Sequence, residues 1–498
     1  MDNIIESNDS LFHSITHITP SNFLTKPVET TLNIENNINI IKTPTNKIAL
    51  LDILDQLNSK KAGIPLSNTL DQLISQKGEV SLSNILDKLI SQKGEDSISN
   101  TSDKLNSQKE EVPLFNTLDQ LSYQKGDIPI AIIYSNKYNY YSPVFFPHPL
   151  DKNRSERIFN KIDMKNDKIY LITPDSQINY EDLTKVHTIN YLSNLTSTNV
   201  SQILEFPLLL SVCPQRYIDS YILTPMKWQV AGTCIAVKKA LDINAAINIG
   251  GGFHQAKRSR GQYGCIYADI PTAIEKHCSD KTVAIINLDA HQGSGLIDYV
   301  TRTTNKVYLL NIYNENVYPY DKYNNDTVTK DIKINDTVNF DKILNVSLDG
   351  GRMEHTLFGK KDIFNVTVDK IDPWCLAEKI YSRKICNHDY IRKLNIIGLF
   401  LNKVKPDIVI YNASCTPYYL DKRGCMDVTK EGIIIRDLYV WHEVVVRKIP
   451  IAMTISQGYA PDEDDIIAES IQEIIKFYPK FVKNEDISDF INRIDKFL

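Results

Sequence analysis

"AIINLDAHQGSG" (residues 284–295) is an apolar run that stops abruptly at Asp289, His291 and two glycines. Apolar, β-branched residues that give way to glycine read as a buried strand ending in a loop. An aspartate and a histidine two residues apart, just past that end, look like half of a metal site. Taken alone, such a pair is more often a capping aspartate beside a surface histidine. Its meaning depends on what else reaches the same place.

Working outward, the chain changes character at "IPIAIIYSNKYN" (128–139), and strand-like and helix-like segments alternate from there. Helices are predicted at 224–242, 268–277, 432–446 and near 463–480, and strands at 244–252, 282–288, 405–414 and 449–459. This alternation predicts an α/β domain (130–498), a largely parallel sheet flanked by helices. The polar, Asn- and Asp-rich stretch at about 320–392 reads as an insertion. Four predicted strands end in polar or glycine-rich loops: "GGGFHQ" (250–255), "DAHQGSG" (289–295), "NASCT" (412–416) and "SQGYA" (456–460). Open α/β sheets bind ligands at the carboxyl ends of their strands, so these four loops are expected to share one pocket. The glycines do not make a dinucleotide loop, because Gln255 occupies the last glycine position of G-x-G-x-x-G.

The amino-terminal part is different. Residues 1–49 are rich in Asn, Ser and Thr and read as a disordered tail. Residues 50–129 hold five tandem copies of a 16-residue unit, from "LLDILDQLNSKKAGIP" to "LFNTLDQLSYQKGDIP". In the second copy Leu66, Leu70, Leu73 and Ile74 fall at helical spacing, Ser67 or Asn68 can cap the start, and Gly78 can end it. Such a helix is too short to stand alone, and the unit is shorter than the roughly 20–50 residues of common solenoid repeats. The repeats read as a partly helical linker, or else as an oligomerisation or docking module for a protein partner.

With 498 residues and 42% hydrophobic content, the chain can build a sizeable core, and its formal charge of −5 gives no DNA-binding signature. The acidic start "MDNIIESNDS" fits no signal peptide, and no apolar stretch reaches the ~18 residues of a membrane span. Eight scattered cysteines without a C-x-x-C pair read as free thiols. The expectation is an intracellular, soluble protein of cytoplasm or nucleus, with no membrane association.

At this point the chain resembles the zinc-dependent histone deacetylases, and the class IV branch most closely. The resemblance rests on "INIGGGFHQAKRSRGQYGCIYADI" (247–270), "IINLDAHQGSG" (285–295), "IVIYNASCTPYYLDKRGCMDVTKEGIIIRD" (408–437) and "SQGYA" (456–460). It is supported by "EDLTKVHTINYL" (181–192) and "YSNKYN" (134–139), and covers roughly 128–475 apart from the inserted stretch. It implies an arginase/deacetylase-like fold. It also implies a zinc held by an aspartate, a histidine and a second aspartate, with a position open for water and the acyl oxygen.

Set against that pattern, Asp289 and His291 fill the first two ligand positions, but Thr416 stands at the third. Cys415 is adjacent and a good soft ligand, yet neighbouring extended residues point to opposite sides. Of the two catalytic histidines the resemblance implies, His254 matches the first and Gln255 replaces the second. Glutamine can hold a water but cannot take its proton. Asn287 stands where the family has an aspartate that orients the first histidine and contributes to a monovalent-cation site. In the substrate channel, formed by Gly252, Tyr263 and Gly264, Gly264 takes the place of a phenylalanine that Tyr263 could partly refill. Tyr459 keeps the position that polarises the acyl carbonyl. The expected function is a catalytically weak or inactive deacetylase-like binding or scaffold protein, with zinc weakly held or absent. The alternative is an active zinc deacylase with rewired metal ligands, acting on an acyl-lysine protein or peptide.

Overall fold

The segments "IAII", "VAIIN", "VYLLNIYN", "IVIYN" and "IAMT" carry apolar residues at almost every position rather than alternating with polar ones. That is the pattern of strands covered on both faces. In a computed structural model, the described residues are 128–140, 153–165, 169–205, 210–319, 340–349 and 386–497. Three short strands within 320–385 are described by backbone alone. The tail and the repeats, apart from Ile128 and Pro129, lie outside the described residues, as does most of 320–392.

The strands are β1 (Ile130–Ile133), β2 (Ile169–Ile172), β3 (Ala245–Asn248), β4 (Val283–Asn287), β5 (Val307–Asn314) and β6 (Thr327–Val328), then β7 (Ile343–Leu348), β8 (Arg352–Glu354), β9 (Lys379–Tyr381), β10 (Ile408–Asn412) and β11 (Ile451–Thr454). Nine form one sheet in the order β2-β1-β3-β11-β10-β4-β5-β7-β6, with every pairing parallel. β8 and β9 form a separate antiparallel pair. β7 belongs to the main sheet although it lies inside the stretch that reads as an insertion.

Alternation along each strand divides the core in two. Ala284 and Ile286 of β4 face one hydrophobic cluster, and Val283 and Ile285 face the other. The first is closed by helices α5 (Ile396–Val404), α6 (Lys430–Val445) and α7 (Glu463–Lys483), the second by α2 (Thr224–Ile243), α3 (Asp269–His277) and α4 (Ser294–Arg302). Helix α1 (Arg154–Lys161) is zipped to the first turn of α7 by Arg154–Glu463 (2.6 Å), Arg157–Asp464 (2.5 Å) and Lys161–Asp465 (2.6 Å). Three acids in that turn also complement the positive end of the α7 dipole. Among the described residues, no helix is long and apolar enough to cross a membrane.

Candidate functional site

The order β3-β11-β10-β4 places four consecutive neighbours at the centre of the sheet, and each ends in one of the four loops singled out in the sequence. Sheet topology therefore converges "GGGFHQ", "SQGYA", "NASCT" and "DAHQGSG" on one place.

The glycine loop is held from behind by Asp269, at the start of α3. Its carboxylate accepts from the Gly252 and Phe253 N–H groups (2.7 and 2.8 Å) and from the Thr233 hydroxyl (2.7 Å). Gly252 has φ +83°, and a Cβ there would lie 2.3 Å from Asn412 Oδ1 and 2.5 Å from Ser456 Cα. Backbone strain and overpacking both act on that carbon. Gly252→Ala is expected to destabilise the fold by about 2–5 kcal/mol, read as a lowered denaturation midpoint. An unchanged midpoint would mean the loop is not held in this form.

Further along the same loop, His187 joins two turns. Its Nδ1 donates to the Lys257 carbonyl (3.1 Å), and its Nε2 accepts from the Ala268 N–H (2.9 Å). Burial pushes its pKa down from 6.5 to about 4, so the ring is neutral in the fold but protonates in the unfolded chain below about 6.5. Its contribution is complete above about 6.5, falls as the pH drops, and is gone near pH 4. The full swing is about 3 kcal/mol. His187→Gln keeps a donor and an acceptor without the titration. The stability gap between wild type and variant is expected to narrow as the pH falls through that window, and a gap constant with pH would refute the account.

At the metal position, Asp289 Oδ1 is 2.7 Å from His291 Nδ1 and accepts from the His291 N–H (2.9 Å). Burial alone would raise the Asp289 pKa. His254 and His291 beside it hold the carboxyl well below the usual range instead. His291 Nε2 donates to the Arg423 carbonyl (3.1 Å). The Asp289 and His291 side chains are bonded directly to each other. The third position fails. The Thr416 hydroxyl accepts from the Ala290 N–H (2.8 Å) and lies 3.0 Å from the Ser414 hydroxyl, so it pins the D-x-H loop to the "NASCT" loop. Cys415 is fully buried, its thiol pushed far up by burial and further by the Glu463 carboxylate. A Cβ on Gly458 would touch both Cys415 and Glu463, which places the cysteine against the α7 side. Among the described residues, no three His, Cys, Asp or Glu side chains gather in a group that could hold a metal. The residues present do not fit a catalytic zinc, which needs three protein ligands.

The base positions are also altered. Asn412 Nδ2 donates to His254 Nδ1 (3.1 Å) and to Asn287 Oδ1 (2.7 Å). With a donor against Nδ1, the ring's proton sits on Nε2, and the lone pair a base needs is spent on Asn412. Burial holds His254 below its ordinary pKa, with Asp289 opposing and His291 reinforcing the shift. Gln255 is tied into the protein at both ends of its amide. Its Oε1 accepts from the Ser294 hydroxyl (2.6 Å) and N–H (3.3 Å), and its Nε2 donates to the Gln292 carbonyl (2.9 Å). It secures the start of α4 rather than a water.

The mouth of the site is filled. Tyr318 stacks on His291 (4.0 Å between centroids) and Tyr263 stacks on Tyr318 (4.2 Å). Gln457 takes up the space that Gly264 leaves open. Its amide nitrogen is 3.0 Å from where a Gly264 Cβ would be, and its Oε1 accepts the Tyr459 hydroxyl (2.8 Å). Arg423 covers the Tyr459 ring at 4.4 Å, and Asp421 accepts the Tyr459 N–H (2.9 Å). Burial pushes the Tyr459 phenol up, so it remains a donor, but what it donates to is Gln457.

All the residues singled out from the sequence thus lie at or beside one site, except that Cys415 faces away from the metal position. Sequence reasoning missed Asp269, Tyr318, Asn412, Asp421, Arg423 and Gln457. All but Tyr318 lay within quoted segments, but nothing local marked where their side chains would point.

Comparison with known proteins bears on the family and the fold. Residues 148–476 match the family model of the histone deacetylase domain. The chain is 28% identical over 353 residues to Histone deacetylase 2 of Arabidopsis thaliana, covering 69% of this chain and 78% of that protein. It is 23% identical over 241 residues to an uncharacterized protein of Picosynechococcus sp., covering 48% and 64%. The crystal structure of the HDA15 HD domain superposes with a TM-score of 0.50 at 14% identity, over 74% of this chain and 94% of that one, and shows the shared fold. With the family model spanning most of the chain and the same α/β architecture beneath it, this protein belongs to the histone deacetylase family.

Proposed function

We propose that this chain is a catalytically silent member of the family, of the class IV type, that serves as a binding or scaffold protein rather than hydrolysing acyl-lysine. One observation carries the reading. The two positions that would complete a zinc hydrolase, Thr416 and Gln255, have their polar atoms spent on holding loops together. A threonine hydroxyl already accepting a backbone N–H contributes neither the charge nor the geometry of a zinc-ligating carboxylate. A glutamine whose amide oxygen already accepts two hydrogen bonds has no lone pair left for a water, and an amide does not deprotonate one. Zinc, if it meets this site, is held by Asp289 and His291 alone and therefore weakly. The repeats are the natural arm for a protein partner, and an acyl-lysine peptide would have to displace Gln457 to reach the Tyr459 hydroxyl.

The test is turnover by the full-length protein of acetyl-lysine and long-chain acyl-lysine peptides, against a Tyr459→Phe control. Equal, background rates are expected. Chelator-sensitive turnover that disappears in the variant would overturn the reading and establish an active zinc deacylase.

A further inference from the structure

A row of buried amides crosses the sheet just below the candidate site. Register pairs Asn248 with Thr454, Thr454 with Asn412, Asn412 with Asn287, Asn287 with Asn311, and Asn311 with Asn345. Six adjacent strands, from β3 to β7, thus carry a polar residue at one level, and none of the six is more than 1% exposed. Five are linked in a single sense. Thr454 donates to Asn412 (2.9 Å), Asn412 to Asn287 (2.7 Å), Asn287 to Asn311 (3.0 Å) and Asn311 to Asn345 (2.9 Å). None of these side chains is among the described buried groups that lack a hydrogen-bond partner. A buried amide is tolerated only when bonded, and here each supplies its neighbour's missing half.

The family resemblance places at Asn287 an aspartate that contributes to a monovalent-cation site. A cation needs several oxygen lone pairs turned toward one point. The atoms at Asn287 are turned the other way. Its Oδ1 is taken by Asn412, while its Nδ2–H and the Gly293 N–H (3.4 Å) both point at Asn311 Oδ1. Gly293 also closes in. A Cβ there would be 3.2 Å from both Asn287 Nδ2 and Asn311 Oδ1. The oxygens of Asn287 and Asn311 are thus each already facing an N–H donor, and a neutral amide brings no charge to attract an ion.

We propose that the Asn412–Asn287–Asn311–Asn345 row does in this chain the structural work of a bound monovalent cation, so that the fold under the site is indifferent to potassium and sodium. The inference is independent of whether the protein hydrolyses anything, and its test reads neither turnover nor zinc.

The experiment compares melting of the full-length protein in potassium, sodium and choline chloride at matched ionic strength. Superimposable curves are expected, and a melting temperature higher in potassium or sodium than in choline would overturn the proposal. A second arm uses Asn311→Leu, which cuts the row in the middle and leaves Asn287 Nδ2 and the Gly293 N–H without their acceptor. A fall of roughly 2–6 °C in all three salts, or failure to fold, is expected. An unchanged melting temperature would show that the row bears no load and would equally overturn the proposal. The salt comparison on wild type stands even if the variant does not fold.

Discussion

Full-length protein is expected to cleave acetyl-lysine and long-chain acyl-lysine peptides no faster than its Tyr459→Phe variant. Losing the general base alone costs about 10²–10⁴ in rate, or roughly 3–5 kcal/mol of barrier. Gln255 cannot act as that base, and His254 has its Nδ1 lone pair against Asn412. A zinc bound here would lack its third ligand at Thr416, and the two deficits would multiply, because such a hydrolysis needs water both polarised and deprotonated. Restoring Thr416→Asp, Gln255→His and Asn287→Asp together is expected to recover metal binding first. Turnover should follow only when Gln457→Gly is added, since the Gln457 amide sits against Gly264 and ties up the Tyr459 hydroxyl. Single restorations are expected to do little, as residues acting in one step are strongly non-additive. If the triple variant turned over as fast as the quadruple, the channel would be open and Gln457 would not be its plug.

What the sequence made legible was local. The helix from Thr224, the strands ending near Asn248, Asn287, Asn412 and Thr454, and the four loops after them follow from apolar runs broken by Gly, Pro and Asn. The altered positions Thr416, Gln255 and Asn287 could be seen by matching segments in order. What those replacements do was not legible, because it depends on direction. Whether Gln255 faces a pocket or a helix start is decided by Ser294, 39 residues away in the chain. The amide row was hidden for a similar reason. Asn287 and Asn412 are ordinary strand ends, and Asn311 and Asn345 lone amides inside apolar strands, until the register places them side by side. Tyr318 lies just before a stretch that reads as inserted, and no local pattern shows that its ring rests on His291.

Zinc content is the second large expected effect. Protein purified without added metal is expected to carry well under one zinc per chain, and Thr416→Asp is expected to raise zinc affinity by at least roughly 10²-fold. The size follows from what lesser changes do. Altering a residue that merely orients a ligand already costs about 10–100-fold, and here an entire charged ligand is at stake. An aspartate at 416 can still accept the Ala290 N–H that Thr416 now accepts, so the loop need not come apart to present its second oxygen beside Asp289 and His291. Metal binding to the variant should also weaken as the pH falls, because ligating carboxylates and imidazole must shed their protons. Elemental analysis and competition with a chromophoric chelator read both quantities. One tightly held zinc in the wild type would mean that another side chain completes the site, and Cys415→Ser would then release it. In a protein that holds zinc only through Asp289 and His291, the same substitution leaves the metal content where it was, because the Cys415 thiol sits on the Glu463 side of its strand end.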